Sequence, residues 1–244
     1  MRSFRRVLAV TARVLGQVLG DHRSVALMMV VPSLLTGLFA WTFNDSHRFE
    51  KVGPLLVGLF PFTVMFLLTS ITSLRERRSG TLERFLTTPM RKYEFVFGYA
   101  LAFGFMATFQ ATITLAFATY VCNLPLNGAG MLILGASVAN ALLGMSLGLM
   151  SSAFAKTEFQ VVQFMPALIF PQIVLGGLFV PIEQMPAVLQ SISSWLPLTH
   201  ALRSLDYVAR QAPRVDIYAE IGLVIFVSAL ALMLGAFTLR KKTP

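Results

Sequence analysis

The chain has 244 residues, 56% hydrophobic and only 13% charged, with a formal net charge of +9. A soluble domain carries about 25% charged residues, so this composition excludes an ordinary soluble enzyme. The single cysteine, Cys122, excludes an intramolecular disulfide and a cysteine-based metal site, and His22, His47 and His200 lack metal-ligand spacing.

Residues 1–20, MRSFRRVLAVTARVLGQVLG, come first. At 100° per residue, Arg2, Arg5, Arg6, Arg13 and Gln17 fall on one side of a helix, and Phe4, Val7, Leu8, Val14, Leu15, Val18 and Leu19 on the other. This pattern predicts an amphipathic helix in the membrane interface, with its basic side toward anionic headgroups. A signal peptide fits poorly, because the apolar run that follows is long and lacks a clear small-residue cleavage site.

Six uncharged runs follow, at 25–43, 52–74, 95–121, 131–154, 159–180 and 221–239. Each exceeds the roughly 18 apolar residues that indicate a membrane span. The backbone must satisfy its own hydrogen bonds in lipid, so each run is expected to be helical. No internal repeat or low-complexity linker divides the chain, which reads as one all-α membrane domain over 1–244.

Lysine and arginine set the orientation. Five lie in the N-terminal segment, six in 75–94, one at Lys156 and three at Arg240, Lys241 and Lys242; the remaining five of the twenty fall in the other connections. Both termini and the 75–94 block are therefore expected on the cytoplasmic side of a plasma membrane. The basic charge is a topology signal and not a nucleic-acid footprint.

The block RERRSGTLERFLTTPMRKYE, 75–94, interrupts two uncharged runs. Leu82, Phe85 and Leu86 are spaced as one face of a short helix, with Ser79 and Gly80 as caps at its start and Pro89 as its stop. Glu83 and Arg84 point away from that face. So short a helix is unstable alone in water and needs a surface. That surface is either the membrane and the N-terminal helix, as in any basic loop, or another protein.

Residues 75–99, RERRSGTLERFLTTPMRKYEFVFGY, resemble the cytoplasmic loop of type-2 ABC export permeases. There a charged cluster precedes a Gly-Thr-Leu-Glu helix, a Thr-Pro turn and a basic-aromatic entry to the third span. A second stretch, GGLFVPIEQMPAVLQSISSWLPLTHALRSLDYV at 176–208, is similar to the outer segment of the same family. The two motifs, in order within six spans, cover nearly the whole chain and look most like the multidrug, daunorubicin-exporter-like members. Arg203 departs from the pattern, since relatives often carry an acidic residue in that stretch.

The resemblance implies a coupling helix in 75–94 that docks on an ATP-hydrolysing subunit, with Leu82, Phe85 and Leu86 as docking residues and Glu76, Glu83 and Arg84 as polar orienting residues. It also implies a second permease copy or a homologous permease, ATP and magnesium on the partner only, and an amphipathic, drug-like or lipid-like cargo. The outer segment, 181–216, is expected to hold re-entrant helices that gate the exit, with Gly176, Gly177, Glu183 and Trp195 at the gate.

Two absences agree with a partner-driven permease. The chain has no Gly-x-x-x-x-Gly-Lys-Ser/Thr phosphate loop, and the six runs contain no Asp, Glu, Lys, Arg or His for proton relay. The alternatives are a partner-independent carrier or channel, and an intramembrane serine hydrolase built on GMSLG, Gly144 to Gly148. Against the hydrolase, Ser137, Ala141, Gly144, Gly148 and Ser152 form a small-residue helix-packing face, and His200 has no evident orienting partner in the sequence. Gln110, Asn140, Gln163 and Gln172 dot the spans as interhelical hydrogen-bonders or as lining of a substrate path.

Overall fold

The computed structural model describes residues 2–43, 46–79 and 91–237. Among them every regular element is helical. They are α1 (Arg2–Gly20), α2 (His22–Phe43), α3 (Ser46–Arg78), α4 (Lys92–Tyr120), α5 (Gly130–Ser151), α6 (Glu158–Phe164), a π-helical turn (Met165–Ile169), α7 (Phe170–Leu175), a 3-10 turn (Ile182–Gln184), α8 (Ala187–Ser193), α9 (Pro197–Ala209) and α10 (Arg214–Phe237). Six helical stretches are long and apolar enough to cross a membrane: Val25–Phe43, Arg48–Arg78, Tyr93–Tyr120, Gly130–Ser151, Glu158–Leu175 and Arg214–Gly235. The stretch Glu158–Leu175 runs through α6, the π turn and α7. Pro166 and Pro171 each remove a backbone donor there, which accounts for the break from α-helical geometry.

The spans differ in burial, and that difference sets the architecture. The central pair is α3 and α5, whose membrane windows are 67% buried, against 22% for α2 and for α10 and 11% for Glu158–Leu175. Small residues bring the central pair together. A Cβ at Gly144 would collide with the Phe62 carbonyl oxygen, and one at Gly148 would come within 2.5 Å of the Phe66 oxygen. Farther along, Ser152 Oγ donates to Ser73 Oγ at 3.0 Å. The paired numbers rise together, so α3 and α5 run parallel, and α4 returns between them. The small-residue face expected on the fourth span is thus the seam of the bundle, with backbones close enough that dispersion replaces the absent hydrophobic drive.

Around this seam Phe62, Phe66, Leu143, Leu198, Leu202 and Leu205 form the larger core. A second core joins Val10, Val14 and Val18 of α1 to Phe95, Tyr99 and Phe103 of α4. The helices also outrun the hydropathy boundaries. The 33 residues of α3 span about 50 Å, well beyond the ~30 Å hydrocarbon layer. Its last turn carries Arg75, Glu76, Arg77 and Arg78, which the sequence reading placed in a loop.

The Ser79 N–H donates to the Arg75 carbonyl at 2.9 Å and continues the end of α3, while the helix that Ser79 and Gly80 were expected to cap lies outside the described residues. The single apolar side expected of α1 divides in two: Val14 and Val18 are buried against the bundle, together with Val10 from outside that side, whereas Phe4, Leu8 and Leu19 stay exposed.

Candidate coupling site

Residues 80–90, including Leu82, Glu83, Arg84, Phe85 and Leu86, lie outside the described residues. Their two stems are described, and both are tied to α1. The entering stem is the end of α3, where Glu76 is 3% exposed. Arg13 of α1 donates to Glu76 Oε1 at 2.5 Å, and the Tyr99 hydroxyl of α4 donates to Oε2. The leaving stem is the start of α4, where Glu94 is 1% exposed. Glu94 accepts from Ser3 Oγ at 2.5 Å and from its own N-cap, the Arg91 N–H, at 2.9 Å, while Arg6 stands 3.6 Å away.

The local reasons are simple. Arg6 and Arg13 are two helical turns apart and so share one face of α1. Gly98 lets that face approach α4, because a Cβ there would stand 2.6 Å from Val10 Cβ, and Thr11 Oγ1 donates across the contact to the Gly98 carbonyl at 3.1 Å. A carboxylate in the first turn of α4 also meets the positive end of its helix dipole.

Glu76 was expected to orient a partner. It is instead enclosed by α1 and α4, because a buried carboxylate needs a cation and donors close at hand. Nor are Arg6 and Arg13 free for headgroups as the basic side of α1 was expected to be; their guanidinium groups serve these two carboxylates. A third tie lies beside the first: Arg75 holds Glu158 of α6 through two bonds, at 2.7 and 3.0 Å. A cleft of about 480 Å³ opens next to it, lined in part by Gln17, Asp21, Thr72 and Arg75.

The comparisons with known proteins fall on this frame. A profile described as ABC-2 type transporter matches residues 5–209. The chain belongs to that family. The ABC-2 chain is 31% identical to the probable multidrug ABC transporter permease YbhR of Escherichia coli (strain K12) over 149 residues, 61% of this chain and 40% of the relative. It is 31% identical to ABC transporter G family member 20 of Dictyostelium discoideum over 159 residues, 65% of this chain and 22% of that protein. It is 26% identical to the linearmycin resistance permease protein LnrN of Bacillus subtilis (strain 168) over 206 residues, 82% and 53% of the two chains. The ABC-2 chain therefore spans about half or less of the length of these relatives.

At the opposite end of this ABC-2 bundle the segment expected to be outer is built from the 3-10 turn, α8 and α9. Gly177 has φ +87°, a left-handed conformation that suits glycine. A Cβ at Gly176 would meet the Gln172 carbonyl and Leu202, both at 2.8 Å. Ser193 Oγ donates to the Leu175 carbonyl at 2.8 Å and fastens α8 to the end of α7. Glu183 is exposed in the 3-10 turn and makes no ion pair among the described residues, and Trp195 is 87% exposed.

Sequence reasoning missed one cluster there. Glu220, in the second turn of α10, accepts from His200 Nδ1 at 2.7 Å and from Arg203 Nη1 at 3.4 Å, and His200 Nε2 stands 3.0 Å from the Ser194 carbonyl. His200 thus has the orienting acid that the sequence concealed, and Arg203 has a specific charge partner. The bond to Glu220 raises the His200 pKa against the opposing effect of burial. Hydropathy placed Glu220 just outside the sixth run, 20 residues from His200, and nothing local connects them.

The cluster does not revive a hydrolase. Ser146 is fully buried in α5 and donates to the Leu143 carbonyl at 2.8 Å, while both His200 ring nitrogens are already engaged.

The polar residues of the spans have different surroundings. Asn140 is buried, and its amide donates to the Ala201 carbonyl at 3.0 Å, bracing α5 against α9. Gln172 donates to the Leu168 carbonyl and accepts from the Leu198 N–H at 3.4 Å. Gln163 is exposed on α6. Gln110 is fully buried in α4, with neither end of its amide bonded among the described residues. Asn140 and Gln172 thus both meet the start of α9, at Ala201 and Leu198.

Proposed function

We propose that this chain is the membrane permease subunit of an ATP-driven exporter, moving an amphipathic, drug-like or lipid-like compound out of the cytoplasm or inner leaflet. A separate ABC ATPase docks on residues 80–90, through Leu82, Phe85 and Leu86 with Glu83 and Arg84 alongside, and supplies ATP and magnesium; this chain carries no cofactor. The observation that carries the reading is the double tie of α1 to the loop stems, through Arg13 to Glu76 and through Arg6 and Ser3 to Glu94.

A short loop helix braced at both stems moves as a lever with α1, α3 and α4, so a push on it reaches the bundle as one displacement. A buried ion pair suits this role because its partners cannot exchange for water at low cost. The basic residues at this end support a cytoplasmic placement, with both termini inside and the membrane a bacterial inner membrane. The names of the relatives, two of them permeases tied to multidrug or linearmycin resistance, favour an amphipathic cargo.

The exporter acts as a pair of permeases. The stretch Glu158–Leu175 is only 11% buried yet carries Gln163 on its exposed side, where a second copy would satisfy an amide that lipid cannot.

The test is a mild-detergent pull-down of the tagged chain from its native membrane, with ATP hydrolysis assayed on what co-purifies. A stoichiometric ATPase, lost in the Phe85→Ala, Leu86→Ala double variant while membrane insertion persists, supports the reading. An intact permease that recovers no ATPase overturns it.

A further inference from the structure

At the end of the bundle that carries the 121–129 and 176–213 connections, a cleft of about 640 Å³ opens between the start of α3, the 121–129 connection, the Gly177–Pro181 stretch and the end of α9. We propose that this cleft is a binding site for a membrane phospholipid with a zwitterionic, primary-ammonium headgroup of the phosphoethanolamine kind. The proposal requires only that the helices span a bilayer and does not depend on the exporter reading.

Three properties of the cleft select that ligand. The first is charge: Glu50, Lys51, Asp206 and Arg210 all line it, two acids and two bases. Asp206 and Arg210 are joined at 2.9 Å, and Lys51 is exposed with no ion pair among the described residues. A rim balanced in this way matches a headgroup carrying one phosphate and one ammonium, and gives little to a net anion. The carboxylates favour an ammonium with N–H donors, while Phe179, the only aromatic residue of the lining among the described residues, cannot by itself form the cage a quaternary ammonium needs.

The second property is shape and position. The volume lies in the range of small-molecule sites, about 300–1,000 Å³. The walls below the rim are apolar, with Leu55, Leu126, Ile133 and Leu178 among them. Lys51 stands three residues inside the span Arg48–Arg78, at headgroup depth, and Phe179 and Val180 are 65% and 45% exposed beside the opening, where acyl chains would leave the cleft for the bilayer.

The third is the backbone. Asn127, Gln211 and Gly177 all line the cleft in left-handed conformations, at φ +46°, +55° and +87°. Gln211 follows the end of α9, where glycine is the usual choice. A glutamine there places an amide on the rim at a conformational cost, as is found where a side chain serves a ligand.

The experiment is native mass spectrometry of the full-length protein released from a lipid-exchangeable detergent. The probes are palmitoyl-oleoyl phosphatidylethanolamine, phosphatidylcholine and phosphatidylglycerol, each titrated in turn. The expected result is one phosphatidylethanolamine retained per protomer at roughly tenfold lower concentration than either other lipid. Lys51→Gln, an exposed change that leaves packing intact, removes a cation facing the phosphate and should lower retention of all three lipids, whereas Asp206→Asn should erase most of the preference for phosphatidylethanolamine over phosphatidylcholine. Ala129→Trp and, independently, Ala209→Trp should fill the cleft and abolish retention while the protein still melts cooperatively. Equal retention of the three lipids, a preference for phosphatidylglycerol, or retention unchanged by Lys51→Gln and by a folded tryptophan variant each overturns the proposal. None of these variants touches α1 or the loop stems, so loss of ATPase co-purification reports on the exporter reading alone.

Discussion

The two ends of the bundle solve the same problem with different chemistry. At each, a helix outside the six spans is fastened to a carboxylate at the end of a spanning helix: α1 to Glu76 and Glu94 at one end, α9 to Glu220 at the other. The difference lies in burial and in the partner. Glu76 and Glu94 are 3% and 1% exposed and are served by arginines that stay charged at any working pH. Glu220 has a side chain 13% exposed and shares it between Arg203 and His200, whose charge changes near neutrality. The first end is built as a permanent brace and the second as a fastening that the medium can loosen. A rigid end beside the 80–90 loop and an adjustable end beside the 176–213 segment would suit the exporter proposed above.

The largest test of this contrast removes the brace. Glu76→Ala leaves Arg13 facing a buried site with no carboxylate, a change that costs on the order of 3–5 kcal/mol. The melting temperature in detergent should fall by about 10 °C and coupled ATP hydrolysis should be lost, with Glu76→Asp recovering part of both. A Glu76→Ala variant that melts like the parent would remove the distinction between the ends.

The next test is pH. The His200 pKa is raised first by its bond to Glu220, so that fastening contributes fully below the ordinary histidine pKa and is lost as pH rises through the raised value. Melting temperatures taken at pH 6 and pH 9 should differ by a few degrees, higher at pH 6, and Glu220→Gln should flatten the difference. The brace at the other end should show no such slope over the same range.

Smaller again is Arg6→Ala. Its pair with Glu94 is 3.6 Å long and the arginine side chain is 36% exposed, so the change should cost less than about 1 kcal/mol, Ser3 and the Arg91 N–H still serving the carboxylate. A loss as large as that of Glu76→Ala would mean that the two stems are equally dependent on arginine. Ser146→Ala, between the two ends, should leave melting and transport within error of the parent.

The fold was legible where the signal is local. The spans at 25–43 and 131–154 were read within a few residues of Val25–Phe43 and Gly130–Ser151, because hydropathy alone decides them. The second span was cut short at residue 74, because a rule that stops at the first charge cannot know that Arg75 will pair with Glu158 and Glu76 with Arg13. Glu220 was set outside the sixth span for the same reason. The face of α1 was half legible: its amphipathic period was plain, but which apolar strip meets α4 depends on Gly98 opening the way for Val10. Of the four polar residues offered as a path, Asn140 and Gln172 both bond to the start of α9, a contact no spacing along the chain could have indicated.

Composition and periodicity were sufficient to establish an all-helical membrane protein with six apolar helices. These are properties of single segments, summed over neighbours in the chain. Packing decided which carboxylate meets which base, across 63 residues for Arg13 and Glu76, 91 for Ser3 and Glu94, and 20 for His200 and Glu220. Those partners meet only after Gly144 and Gly148 bring α3 and α5 together and the remaining helices close around that seam. Ion pairing in a bundle is set by distances of a few ångströms between helices, and those distances are set by side-chain volumes far away in sequence.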